Sequence, residues 1–306
     1  MRTSDPTAPR PTTGPAAGKS VLALLAVLLA LLLLAGSGGA AMAQSSQPRT
    51  VSFPSADGKT TLTGYLFAPA GRPKTAPAVV LLHGRTGAYS VLAKGNYSAV
   101  TIDKRIRAWA ELWASQGYWA LVVDSFGPRG YPGGLPASGD GKSPQATTEA
   151  TVRPLDAYGA LKYLRASPRV RADRIALQGW SNGATAALAA MSKDALPAAE
   201  VASGHGFRIG LALYPGCNLQ ARYHDGYVPY APVHIFIGTR DEETSSATCD
   251  QMAAASHAEG AEVGITLLPG ATHDFDDPAH EKPAANPPAT AESRKQAEAL
   301  LAAALR

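Results

Sequence analysis

The stretch from Leu177 to Leu188, LQGWSNGATAAL, places a serine between two glycines where an apolar run ends and an alanine-rich run begins. The first run is typical of a β-strand and the second of a helix, so Ser181 is expected on the turn between them. Gly179 and Gly183 lack the Cβ atoms that would collide in so tight a turn. The pattern predicts a nucleophile held above the carboxyl edge of a sheet. A serine that only caps the helix is the alternative.

Around this stretch, short apolar runs alternate with helical stretches. The first segment, 49–69, predicts a hairpin with a two-residue turn at Asp57-Gly58. Continuous apolar runs follow, typical of strands buried on both faces of a parallel sheet, at 76–84, 117–125, 173–179, 208–216, 231–238 and 261–270. Helical stretches lie between or after them, at 103–117, 153–167, 182–194, 246–260 and 289–306. This order predicts a single α/β domain over residues 44–306, with a mostly parallel central sheet and helices on both faces.

The first 43 residues have a different character. A polar segment with three basic residues leads into an apolar run from Val21 to Ala35, and small residues follow up to Ala43. Basic, apolar and A-x-A regions in this order predict a signal peptide cleaved before Gln44, and hence a periplasmic or secreted protein. A retained membrane anchor is the alternative, but the run is shorter than the roughly 20 residues that span a bilayer. After cleavage we expect no stable association with the membrane.

The charge balance does not indicate a nucleic-acid partner. The chain has a formal net charge of +4, and removal of the signal peptide takes away three basic residues and one acidic residue, which leaves +2. A nearly neutral domain without blocks of like charge has a solvated surface rather than a basic patch. A nucleic-acid partner is therefore not expected, and the small-molecule partner that we do expect follows from the site residues.

Two cysteines, Cys217 and Cys249, lie in the exported part of the chain. An even pair in an oxidising compartment favours one disulfide bond, with two buried free thiols as the alternative.

A serine nucleophile needs a histidine base and a carboxylate that orients it. Asp241 directly follows the apolar run at 231–238, and His273 directly follows the next run. The order serine, acid, histidine at successive strand ends fits a catalytic triad on an α/β sheet. Glu242 and Glu243 compete with Asp241, but the first acid after a strand is the most firmly anchored. The remaining histidines fit less well, at positions 205, 224, 234, 257 and 280.

Two backbone amides are candidates for an oxyanion hole. The Asn182 N–H stands at the start of the helix after Ser181, where the helix dipole favours negative charge. His83-Gly84 ends the first core strand and can turn the next amide, that of Arg85, toward the nucleophile. A glycine-rich turn without a role is the alternative. The long segment 125–150, rich in glycine and proline, is expected to cover or line the site.

The chain resembles the dienelactone hydrolase family of α/β hydrolases over most of residues 75–280. The resemblance rests on several short blocks in the right order: VVLLHGRTG, VVDSFGPRG, DAYGALKYLRASPRV, IALQGWSNGA, LYPGC, IGTRDEETSSATC and LLPGATHDFDDP. It implies Ser181, Asp241 and His273 at the triad positions and Arg85 and Asn182 as oxyanion donors. The founding enzymes carry a cysteine nucleophile and a pair of arginines for a substrate carboxylate, whereas this chain has Ser181 and no matching pair.

Residues and resemblance together predict a serine hydrolase of carboxylic esters or lactones that works through an acyl-enzyme, without a metal or organic cofactor. Two other functions remain open. A serine peptidase can use the same fold and chemistry. A catalytically silent periplasmic binding protein would keep the fold and leave the serine unreactive.

Overall fold

A computed structural model describes residues 47–136, 144–195, 203–221, 226–278 and 283–305. The predicted signal peptide, residues 1–43, lies outside these ranges.

Eight strands form one sheet in the order β1-β2-β4-β3-β5-β6-β7-β8. Strands β1 and β2 pair antiparallel with each other, β2 pairs antiparallel with β4, and all later pairings are parallel. The strands are β1 Arg49–Pro54, β2 Thr61–Phe67, β3 Ala76–Leu82, β4 Trp119–Asp124, β5 Val170–Trp180, β6 Gly210–Leu213, β7 Val233–Gly238 and β8 Val263–Leu268. The mostly parallel sheet expected from the apolar runs is confirmed.

The turn of the first hairpin differs from the expectation. Strand pairing ends at Pro54 and Thr61, and the connection between them spans six residues rather than two. The Asp57 carboxylate accepts hydrogen bonds from the backbone N–H groups of Lys59 and Thr60, both at 2.8 Å. The Asp57 side chain thus stabilises a wider turn, because it satisfies two amides that a tight primed turn would not present to it.

Among the described residues, five α-helices connect or follow the strands: α1 Lys104–Ser115, α2 Arg153–Arg165, α3 Asn182–Met191, α4 Ser246–Ala258 and α5 Asn286–Leu305. Each corresponds to a predicted helical stretch, and α5 begins three residues earlier than expected.

Two neighbouring residues of β5 show that helices cover both faces of the sheet. The Gln178 side chain accepts a hydrogen bond from Trp113 of α1, at 2.8 Å. A Cβ atom on the next residue, Gly179, would instead lie 2.2 Å from the carbonyl oxygen of Gly183 in α3. Because successive residues of a strand point to opposite faces, α1 and α3 lie on opposite sides.

Burial follows from this arrangement. Every residue of β3 from Ala78 to Leu82 is fully buried, which is why that strand carries no polar alternation. Within the ranges described above, no helix has both the length and the apolar character needed to cross a bilayer.

Candidate active site

Ser181 lies on a strained turn between β5 and α3. Its φ angle is 50° and its ψ angle is −119°, a conformation that non-glycine residues rarely adopt. Its backbone N–H donates to the carbonyl of Leu213 at 2.9 Å, so the neighbouring strand end fixes the turn. Position 183 requires glycine, because a Cβ atom there would lie 2.2 Å from the carbonyl oxygen of Leu82.

The structure brings the three predicted residues into one hydrogen-bonded chain. His273 Nε2 lies 3.0 Å from Ser181 Oγ. His273 Nδ1 lies 3.0 and 2.9 Å from the two carboxylate oxygens of Asp241. Because Nδ1 faces a carboxylate, it carries the hydrogen and leaves Nε2 as the acceptor for the serine O–H. This is the geometry that a base needs to remove a proton from a serine.

The Asp241 carboxylate is held by backbone amides of its own loop. One of its oxygens accepts hydrogen bonds from the backbone N–H groups of Glu243 and Thr244, at 2.9 and 2.8 Å. Burial raises the pKa of Asp241, but its bonds with His273 and with these two amides outweigh burial and lower the pKa overall. The carboxylate therefore stays ionised beside the imidazole.

The two competing acids also touch His273, each at a different atom. Glu242 accepts a hydrogen bond from the backbone N–H of His273, at 3.2 Å. Glu243, whose side chain is 66% exposed, places its carboxylate 3.4 Å from His273 Nε2. Three consecutive carboxylates thus surround one histidine, which the sequence order alone does not show.

Burial lowers the pKa of the His273 imidazole, but the acids around it reverse this effect. The hydrogen bond and charge of Asp241 act together with the charges of Asp274 and Glu243, and the net pKa lies above the ordinary value of 6.5.

A buried polar network holds the loop that carries His273. Asp276 accepts hydrogen bonds from Tyr214 Oη at 2.6 Å, from Trp109 Nε1 at 2.8 Å and from Trp180 Nε1 at 3.0 Å. Buried Arg105 donates to Tyr214 Oη at 3.0 Å and forms an ion pair with Asp274. The loop that carries His273 is therefore bonded to Trp180, the residue directly before Ser181.

The end of β3 lies against the turn that carries Ser181. A Cβ atom on Gly84 would be 3.6 Å from Ser181 Cβ, so Gly84 lies beside the serine. The buried His83 ring accepts a hydrogen bond from the Ser125 N–H at Nε2, 3.2 Å away, and its Nδ1 lies 2.8 Å from the Gly84 carbonyl. His83 is thus neutral with the hydrogen on Nδ1, and burial, reinforced by the charge of Arg153, lowers its pKa well below the usual range.

Asn182 begins α3, as predicted, and its side chain is bound at both ends. Its Oδ1 accepts a hydrogen bond from Arg153 at 2.5 Å, and its Nδ2 donates to Glu149 at 3.1 Å. Neither partner was identified from the sequence.

Two parts of the long segment 125–150 are described, and the first of them, 125–136, packs against the loop of Arg85. The Leu135 N–H donates to the Arg85 carbonyl at 3.0 Å, and the Arg85 guanidinium donates to the Pro136 carbonyl at 2.9 Å. Residues 137–143 lie outside the described ranges.

The remaining described histidines lie in other settings. His234 is in β7 and bonds to Thr266 at 2.8 Å, His257 is in α4, and His205 bonds to Ser203 at 2.6 Å. His224 and His280 lie outside the described residues. In the portion of the chain that the structure describes, no group of three or more histidine, cysteine or acidic side chains is arranged to hold a metal ion.

A disulfide bond joins Cys217 and Cys249, whose Cα atoms are 4.9 Å apart. Cys217 follows β6, and Cys249 lies in the first turn of α4, the helix after the Asp241 loop. Both cysteines are buried. The bond therefore links the segments that leave two neighbouring strands at the carboxyl edge of the sheet.

Solved structures of similar fold are those of esterases and related hydrolases. The dienelactone hydrolase-like promiscuous phosphotriesterase P91, from metagenomic libraries, is 18% identical and has a TM-score of 0.61, over 84% of this chain and 98% of that one. Esterase 2 of Thermogutta terrifontis with bound propionate is 17% identical with a TM-score of 0.58, over 85% and 95% of the two chains. The same esterase phosphorylated by paraoxon is also 17% identical with a TM-score of 0.58, over 84% and 95%. At such identities the likeness concerns the fold.

No curated protein matches the chain in sequence. The model of the dienelactone hydrolase family, in contrast, matches residues 62–305, which include all but the first residue of β2, every later strand and all three members of the hydrogen-bonded chain. The chain belongs to the dienelactone hydrolase family, within the α/β-hydrolase superfamily.

Proposed function

We propose that Ser181, His273 and Asp241 are the nucleophile, base and orienting acid of this carboxylic ester hydrolase. The observation that carries the proposal is the 3.0 Å separation between His273 Nε2 and Ser181 Oγ, with Asp241 on the opposite side of the ring. A neutral imidazole in this position can take the serine proton as the hydroxyl attacks.

In the first half of the reaction, His273 removes the Ser181 proton and Oγ attacks the carbonyl carbon of an ester or lactone. The negative charge moves to the carbonyl oxygen, where the Arg85 and Asn182 N–H groups stabilise it. When the tetrahedral intermediate collapses, His273 returns the proton to the departing alkoxide and an acyl-enzyme remains. In the second half, His273 activates a water molecule, which attacks the acyl-enzyme and releases the acid.

The charged side chains at the site favour substrates other than the anionic lactones of the founding enzymes. The Arg85 guanidinium donates to the Pro136 carbonyl. Three further arginines are also engaged in bonds within the protein: Arg105 with Asp274, Arg129 with Asp57 and Asp156, and Arg153 with Asn182. An arginine already bonded in this way does not offer its guanidinium to a substrate carboxylate. We therefore propose esters or lactones without a carboxylate as the substrate class.

We propose that the protein acts outside the cytoplasm, in the periplasm or as a secreted enzyme. The order of regions in residues 1–43 and the disulfide between Cys217 and Cys249 support this location. Mass spectrometry of the exported protein tests the cleavage. A mature chain beginning at Gln44 is expected, and a chain that retains residues 1–43 would contradict it.

Labelling with a fluorophosphonate tests the nucleophile directly. The wild-type protein is expected to gain one phosphonyl group, which peptide mapping should find on Ser181. Paraoxon serves as a second reagent, since the esterase of similar fold is phosphorylated by it. A protein that takes up neither reagent would match the silent binding protein and contradict the proposal.

A panel of p-nitrophenyl esters of increasing acyl length, alongside aminoacyl p-nitroanilides, separates esterase from peptidase. Turnover of the esters alone is expected. Preferential turnover of the anilides would favour a peptidase.

A further inference from the structure

Arg153, at the start of α2, has a guanidinium that is completely buried. Its Nη2 donates to the carbonyl oxygen of His83 at 2.7 Å, and its Nη1 donates to Asn182 Oδ1 at 2.5 Å. The guanidinium also lies over the ring of Phe126, 4.9 Å from its centroid. A charged group so fully removed from water is costly unless its bonds serve the structure around it.

The two acceptors of Arg153 belong to the two segments that supply the proposed oxyanion donors. His83 precedes Gly84 and Arg85 at the end of β3, and Asn182 begins α3. These segments touch directly, because a Cβ atom on Gly183 would lie 2.4 Å from the His83 carbonyl oxygen. One side chain therefore spans the contact between the two donor segments.

The bonds at β3 fix the direction of the Arg85 amide. Arg153 holds the carbonyl of His83, and His83 Nδ1 holds the carbonyl of Gly84. In a planar trans peptide the C=O and N–H groups point in opposite directions. Fixing the Gly84 carbonyl therefore aims the Arg85 N–H of the same peptide.

The bonds at α3 hold the second donor. Arg153 donates a hydrogen bond to the Asn182 side-chain oxygen, and Glu149 accepts one from the Asn182 side-chain nitrogen. The Asn182 side chain therefore has little freedom to rotate. Both hydrogen bonds come from the stretch 149–153, where the chain enters α2. Burial lowers the pKa of Arg153 to about 10, which still leaves the guanidinium charged at neutral pH.

We infer that Arg153 is a positioning residue of the oxyanion hole, which holds the Arg85 and Asn182 amides in register by bonding to both segments at once. This inference rests on the proposed function. It goes beyond it, because Arg153 lies outside the hydrogen-bonded chain of Ser181, His273 and Asp241 and acts only through other residues. A planar guanidinium can serve two divergent acceptors, whereas a lysine ammonium in the same space cannot reproduce that fork.

Arg153→Lys tests the inference, with Arg129→Lys as the matched control. Arg129 also has a buried side chain, but its bonds go to Asp57, to Asp156 of α2 and to the Ser125 carbonyl, and not to His83 or Asn182. Arg153→Lys is expected to lower kcat for p-nitrophenyl butyrate about tenfold to a hundredfold while KM changes little, because the oxyanion forms only after binding. The inhibition constant of a trifluoromethyl ketone, whose serine adduct carries an oxyanion, should weaken by a similar factor. Arg129→Lys should change neither quantity.

A purely structural role for Arg153 would lower the thermal stability of Arg153→Lys and leave the inhibition constant of the ketone unchanged, which would overturn the inference. If Arg153→Lys does not fold, Asn182→Ala tests the inference instead. This variant removes the hydrogen bond between Arg153 and the Asn182 side chain but keeps the backbone N–H of residue 182. This variant should weaken ketone inhibition, and unchanged inhibition would again overturn the inference. Failure of the proposed function looks different, since wild-type protein would then resist fluorophosphonate and the ketone would not inhibit any variant.

Discussion

The carboxylate of Glu243 lies 3.4 Å from Nε2 of His273, the same nitrogen that faces the serine hydroxyl. In the neutral imidazole this nitrogen carries a lone pair, and it cannot form a hydrogen bond with the carboxylate because both groups are acceptors. In the imidazolium it offers an N–H, which the carboxylate can accept. Glu243 therefore stabilises the protonated state of His273 and contributes to its raised pKa.

The first prediction concerns the pH dependence of kcat/KM. Only the neutral imidazole accepts the serine proton, so activity should rise with pH through the pKa of His273, above its ordinary value of 6.5. Glu243→Gln removes a negative charge, lowers this pKa and should move the acid limb of the profile to lower pH. Because Glu243 is largely exposed, the difference between variant and wild type should shrink at high salt.

The matched control for Glu243→Gln is Asp250→Asn, which removes an equal charge from the exposed side of α4. This variant should leave the profile in place. A profile for Glu243→Gln that coincides with the wild-type curve at low salt would refute the role of Glu243.

The second prediction concerns the nucleophile. Ser181→Ala should lower esterase turnover by about a thousandfold or more, because residual rates in such mutants come only from binding and the oxyanion hole. Thermal unfolding should stay near the wild-type temperature or rise, since alanine removes no structural bond apart from the one to His273. Ser115→Ala, at an exposed position of α1, is the control and should keep full activity. Near-normal turnover by folded Ser181→Ala protein would remove Ser181 from the mechanism.

The order of elements and the residues at strand ends could be predicted from the sequence for a physical reason. Buried parallel strands must be apolar throughout, and the tight turn at Ser181 requires Gly179 and Gly183 at fixed spacing. Local patterns of this kind are visible in a short window. They sufficed to place Asp241 and His273 at successive strand ends.

The supporting network could not be predicted, because its partners are far apart along the chain. Asp276 bonds to side chains from α1, β5 and the segment after β6, and Arg153 bonds to the ends of β3 and the start of α3. Such contacts depend on how layers pack, which no local pattern encodes. The run from Asp274 to Asp277 contains three acids, but the short run itself does not show which side chains they bond.

The third prediction concerns Asp276. Asp276→Ala leaves two buried indole N–H groups and the Tyr214 hydroxyl without their acceptor, and it removes a negative charge near buried Arg105. The free energy of unfolding should fall by about 3 to 5 kcal/mol, as measured by urea denaturation. Asp173→Ala, at a side chain that is 72% exposed, should change it by less than about 0.5 kcal/mol. A similar small change for Asp276→Ala would show that the network does not stabilise the histidine loop.

The last prediction concerns the disulfide between Cys217 and Cys249, which closes a loop between residues 32 positions apart. In the chain-entropy model such a bond stabilises the fold by about 3 to 4 kcal/mol. It also restrains α4, the helix that follows the Asp241 loop, so reduction should lower activity at temperatures below those that unfold the domain. The double variant Cys217→Ala, Cys249→Ala should be less stable, and its activity should not respond to dithiothreitol. Exported protein alkylated under denaturing conditions without reductant should gain no mass. Two alkylated cysteines would show that the thiols are unpaired. Reduction would then have no disulfide to break and should not change the activity.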